Sequence, residues 1–136
     1  MDGYNIIFAW DALAETARSD LDAARRQLLD ILSSYSGFTK CRMVVVFDGY
    51  KRKGNPGEKS VLNNLQVVYT REGETADQYI ESLASEIGSN YCVKVASNDS
   101  LIQLSAFRSG TLRLSAGELE QMIREASREM EAFFGK

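Results

Sequence analysis

Five consecutive apolar residues, Met43-Val44-Val45-Val46-Phe47, run straight into Asp48-Gly49. On an amphipathic surface helix, a 3.6-residue period would turn part of such a run toward water. The run is short, β-branched and apolar on both faces of the pleat, as in a strand covered above and below. Such a strand needs helices on both sides of its sheet, so it restricts the chain to a layered α/β fold. Three further runs read the same way: Gln66 to Thr70 (QVVYT), Cys92 to Ala96 (CVKVA) and Thr111 to Leu114 (TLRL).

Helical patterns separate these runs. Leu21, Ala24, Leu28, Leu32 and Tyr35 fall at helical spacing, with Gly37 as the expected stop. Thr75-Ala-Asp-Gln78 is a capping box opening a helix with Ala76, Ile80, Leu83, Ala84 and Ile87 on one face, ended by Gly88. Leu101, Leu104 and Phe107 suggest a short third helix that Gly110 stops, and Ser115-Ala-Gly-Glu118 caps a fourth carrying Leu119, Met122, Ile123, Ala126, Met130 and Phe133. Alternating strand and helix imply a mainly parallel sheet with right-handed crossovers. Tyr50 to Leu65 reads as a long irregular stretch. No linker or repeat divides the chain, so residues 1–136 are expected to form a single domain.

With 136 residues, 44% of them hydrophobic, the chain is long enough for a real core, and its net charge of −3 leaves nucleic-acid contact to a local patch. No apolar run approaches a membrane span, and no leader is visible, so no membrane partner is expected. Cys41 and Cys92 each abut a predicted strand and read as buried free thiols in a reducing, cytoplasmic setting. Histidine is absent, which removes Ser-His and Cys-His triads and argues against zinc. Neither GxxxxGK[ST] nor GxGxxG occurs, so no nucleotide or other small-molecule cofactor is indicated. Any catalysis must rest on carboxylates, hydroxyls, amides or a metal.

In an open parallel sheet, ligands bind beyond the carboxyl ends of the strands. Asp48 follows MVVVF, Asp99 follows CVKVA by two residues, and Asp77 opens the helix after QVVYT; Asp2 joins them if a strand precedes it. Taken singly, each acid has a simpler reading: a strand-ending turn at Asp48-Gly49, a helix-dipole partner at Asp77, a capping acid at Asp99, a frayed terminus at Asp2. Glu72 and Glu74 read as solvated loop acids. The coincidence of four acids on one edge favours function, because gathered carboxylates repel unless a cation offsets them. Oxygen donors without His or Cys select Mg²⁺ or Mn²⁺, which can polarise a phosphodiester and activate a water for in-line attack. Lys51, Arg52, Lys53 and Lys59 leave the same edge as Asp48, where a basic flank would suit a phosphate backbone. Tyr4 and Tyr50 are of a type that stacks on bases, although packing is the simpler role for each, and Trp10 is most simply core.

The run Asp2-Gly-Tyr-Asn-Ile-Ile with Trp10, then Val-Val-Phe-Asp48, Val-Val-Tyr-Thr-Arg-Glu-Gly-Glu-Thr-Ala-Asp77-Gln-Tyr-Ile, Val-Ala-Ser-Asn-Asp99 and Leu-Arg-Leu-Ser-Ala-Gly-Glu-Leu resembles the YacP-like NYN domains of bacteria, within the PIN-like nucleases. The resemblance spans nearly the whole chain. It implies a three-layer PIN-like fold and metal-dependent cleavage of RNA. Asp2, Asp48, Asp77 and Asp99 would be the metal-binding acids, and Asn5 would orient a ligand or the first acid. It implies RNA as the partner, single-stranded and above all mRNA, together with the ribosome. The family carries an apolar strand before its first Asp, where this sequence has only Met1. The resemblance therefore implies a truncated first strand and a poorly anchored Asp2. Relatives often read Thr-Ser-Asp where this chain has Ser97-Asn98-Asp99.

The leading expectation is a Mg²⁺- or Mn²⁺-dependent endoribonuclease in which metal-activated water attacks the phosphodiester, leaving a 5′-phosphate and a 3′-hydroxyl. Lys51, Arg52, Lys53, Lys59 and Arg71 are its candidates for gripping RNA. The alternative is a non-catalytic RNA- or ribosome-binding module of the same fold. A receiver-type domain with Asp48 as phosphoacceptor is disfavoured, because Leu114 is followed by Ser-Ala-Gly where such domains need a Lys.

Overall fold

A computed structural model describes residues 1–49, 57–87, 94–96 and 112–134. In chain order the elements are α1 (Gly3–Ala9), α2 (Asp11–Ser19), α3 (Leu21–Thr39), β1 (Met43–Phe47), β2 (Glu58–Leu62), β3 (Leu65–Tyr69), α4 (Ala76–Ile87), β4 (Lys94–Ala96), β5 (Leu112–Leu114) and α5 (Ala116–Phe134). The apolar run at 43–47 is β1, and the expected strand at 66–70 starts one residue earlier as β3. The runs at 92–96 and 111–114 are strands over Lys94–Ala96 and Leu112–Leu114. Cys92, Val93, Thr111 and the helix expected around Leu101 to Phe107 lie outside the described residues.

β1 pairs in parallel with β3, from Met43↔Leu65 to Phe47↔Tyr69. β2 runs antiparallel along the other side of β3, and β4 and β5 form a separate parallel pair. The pleat divides the core in two. Val45, Phe47, Leu65 and Val67 face Ile6, Ile7, Trp10, Leu28, Leu32 and Leu119, contributed by α1, α3, α5 and the α1–α2 junction. Val46 and Val68 face Ala76 and Ile80 of α4, with Val95 of β4 alongside. Both faces of β1 are therefore covered, which is why its sequence shows no polar alternation. The result is a helix–sheet–helix, three-layer α/β fold.

The stretch 50–65 is not irregular throughout. β2 is a fully exposed edge strand that lacks an apolar signature, and a tight Asn63-Asn64 turn folds it onto β3. Asn63 takes a left-handed conformation (φ 55°), and its amide donates to the Ser33 hydroxyl at 2.8 Å. α3 also does not stop at Gly37; it continues to Thr39 and ends where Lys40 adopts φ 60°. Packing of Ala24, Leu28, Leu32 and Ser36 along one stripe carries the helix through the glycine. Cys41 is exposed rather than buried, because it falls between α3 and β1 instead of within the strand.

Among the described residues, Met1 and Asp2 line the remaining edge of β1, through a parallel Asp2↔Val46 bridge. Asp2 is nonetheless well anchored. The Met1 amino group donates to the Val44 carbonyl at 2.7 Å, and the Val46 N–H donates to the Met1 carbonyl at 2.8 Å. Met1 as a residue is partly exposed, but its amino group is enclosed, and burial lowers that group's pKa from 8.0 to about 6 despite the Asp2 charge beside it.

Candidate active site at the carboxyl edge of the sheet

Two Asp-Gly-Tyr sequences reach this edge by different local devices. At the first, Asp2 is the N-cap of α1, and its Oδ1 accepts the Asn5 backbone N–H at 3.3 Å. Asn5 thus contributes through its main chain to holding the acid. Gly3 lies against the Phe47 ring, so close that a Cβ there would sit 2.4 Å from the ring. At the second, Asp48 projects into solvent past the end of β1. The next residue is tied down: the Gly49 N–H donates to the Thr70 hydroxyl at 2.8 Å, and the Thr70 N–H donates to the Phe47 carbonyl at 3.0 Å.

Asp77 arrives from a third direction. Arg71 to Glu74 form a turn closed by the Glu74 N–H on the Arg71 carbonyl, with Gly73 at φ 83°. α4 then opens on its capping box. The Gln78 N–H donates to the Thr75 hydroxyl at 3.3 Å, and the Thr75 N–H donates to the Gln78 side chain at 3.0 Å. This puts half-buried Asp77 in the first turn of α4. Ala76, its neighbour, packs with Val46, the bridge partner of Asp2.

The topology therefore brings Asp2, Asp48 and Asp77 to one edge from three chain segments. Among the described residues, no three His, Cys, Asp or Glu form a group close enough to hold a metal ion. Asp99, Lys51, Arg52, Lys53 and Tyr50 lie outside the described residues. Lys59 and Arg71 are both exposed near this edge, because β2 begins opposite the end of β3. The Lys59 ammonium rests 5.7 Å from the Tyr79 ring centroid on the α4 side.

Several residues at this edge carry no sequence signal. Thr70 is buried and holds the turn after Asp48, yet in sequence it reads only as the last residue of a strand. Arg25 lies in the second turn of α3, and no motif marks it. In the fold its guanidinium donates to the Tyr4 hydroxyl at 2.8 Å and pairs with Asp22.

Comparison with known proteins places residues 1–135 in the YacP-like NYN domain. The YacP protein of Bacillus subtilis (strain 168) is 35% identical over 132 residues, covering 96% of this chain and 77% of that protein. The crystal structure of Rae1 (YacP) from Bacillus subtilis superposes with a TM-score of 0.80 at 35% identity, covering 96% of this chain and 75% of that one. Its W164L mutant gives the same TM-score at 32% identity, covering 96% and 76%. Family, sequence relative and fold agree over nearly the whole length: this chain belongs to the YacP-like NYN domain family.

Proposed function

We propose that this protein is a Mg²⁺- or Mn²⁺-dependent endoribonuclease acting on single-stranded RNA. Its family is nuclease-like, and the observation that carries the proposal is the delivery of Asp2, Asp48 and Asp77 to one sheet edge. The donor set fits a hard divalent cation in its chemistry, being all carboxylate with no His in the chain. Asp2, Asp48, Asp77 and Asp99 would hold it. When bound, such a cation supplies charge neutralisation at the phosphate and acidifies a water for attack.

The chain's own residues do the positioning. The N-cap bond from Asn5 and the Met1 backbone bonds fix Asp2, while Thr70 fixes the turn that aims Asp48. Lys59 and Arg71, with Lys51, Arg52 and Lys53, would offset the phosphate backbone's charge. No helix among the described residues is long and apolar enough to cross a membrane.

The test is incubation with labelled single-stranded RNA in Mn²⁺. Cleavage should stop with EDTA and in Asp77→Asn, with 5′-phosphate ends on the products. Cleavage indifferent to both would sink the proposal. A non-catalytic RNA- or ribosome-binding module is the second reading. It is favoured by the lack, among the described residues, of a metal-holding trio. Tight RNA binding with no turnover in Mn²⁺ or Mg²⁺ would identify it.

A further inference from the structure

Beside the acidic edge, on the face away from α4, three aromatic rings form a ladder. Buried Phe47 is the middle rung; Tyr69 stacks on it at 5.2 Å with 24° between planes, and Tyr4 meets it edge-on at 5.1 Å and 64°. Both tyrosines keep part of their surface in water. The Arg25 guanidinium lies 6.0 Å from the Tyr4 ring centroid and bonds its hydroxyl, with the Arg25 side chain 23% exposed. Glu58, exposed on β2, is the cross-strand partner of Tyr69 and so projects from the same face.

Packing alone does not account for these polar groups. A phenylalanine would fill the place of the Tyr69 ring. The Tyr69 ring is half-exposed and its hydroxyl is not a buried, unsatisfied group, so it is open to exchange hydrogen bonds with water or a ligand. Burial raises the pKa of that hydroxyl, with Tyr4 and Glu58 adding to the rise and Arg25 opposing it, so all three side chains bear on one point. Half-open rings, a guanidinium and a carboxylate around a solvent-reaching phenol match a planar heterocycle that stacks and exchanges hydrogen bonds along its edge.

We propose that Tyr4, Tyr69, Arg25 and Glu58 form a subsite that holds one base of a single-stranded RNA beside the carboxylate edge; this rests on the ribonuclease reading for its substrate class. The base stacks on tyrosine ring surface, its N–H groups donate to Glu58, and its carbonyl oxygens accept from Arg25. The subsite sets which nucleotide neighbours the scissile phosphate.

The first measurement uses the unaltered protein, so no variant need fold. A single-stranded RNA carrying 5-iodouridine is irradiated with the protein in EDTA, and the adducts are mapped. An adduct at Tyr4 or Tyr69 is expected; adducts confined to other residues would overturn the subsite. The second measures binding of a fluorescein-labelled RNA in EDTA. Tyr69→Leu, checked for folding by circular dichroism, should bind about 5- to 150-fold more weakly, the range for losing one stacked base. Affinity equal to wild type would overturn the subsite and leave the nuclease reading standing. A tyrosine adduct in a protein that never cleaves RNA in Mn²⁺ would keep the subsite and remove the catalytic reading.

Discussion

Gly3 shows how one residue couples packing to the site. Phe47 is fully buried between Tyr4 and Tyr69, so its ring has no free direction in which to yield. Gly3→Ala should therefore cost about 1–3 kcal/mol by overpacking, seen as a lower urea midpoint. RNA cleavage should fall with it, because the cap at Asp2 moves. The Met1 amino group gives the second prediction at this scale. Its folded value, about 6, is below the ordinary 8.0, so protonating it is harder in the folded state. The stability it contributes is fully present above pH 8 and is lost as pH falls through 6. Unfolding free energy, measured in EDTA, should drop by about 1–3 kcal/mol across that window. N-terminal acetylation should flatten the change, since an amide still donates to Val44. The place of Asp48 was legible, because a charge directly after a buried strand is conspicuous. Arg25, Thr70 and Glu58 were not, because an ordinary helix or strand sequence places each of them.

At the scale of elements, both expected capping boxes form, at Thr75/Gln78 and at Ser115/Glu118. Caps are legible because all their atoms lie within four residues of one another. Gly37 is the opposite case. Sequence alone marks it as a helix stop, yet α3 passes through it in ordinary helical geometry. A Cβ there would make only normal contact, 3.6 Å from the Asn63 amide nitrogen. Gly37→Ala should thus raise stability by about 0.5–1 kcal/mol, through lower unfolded-state entropy and better helix propensity, measured by the thermal midpoint. β2 escaped notice because an exposed edge strand needs no apolar pattern. Its existence depends on the Asn63-Asn64 turn and on the ladder that β3 offers.

On the scale of the whole molecule, Trp10 joins distant parts of the chain. Buried at the α1–α2 junction, its indole N–H donates to the Ala116 carbonyl at 2.8 Å, where α5 begins. Trp10→Phe should lower the unfolding free energy by about 2–4 kcal/mol, from the lost bond and the smaller ring, read from denaturant melts. The sequence by itself determined the α/β class, the strand core, the capped helices and the placing of Asp48 directly after β1, since these follow from periodicity and from short-range hydrogen bonding. Only the tertiary structure decided that Met1 and Asp2 are secured on the edge of β1, that Thr70 fixes the turn after Asp48, and that Arg25 lies over Tyr4. Those are contacts between segments more than 20 residues apart, and a local pattern holds no record of which distant surface it will meet.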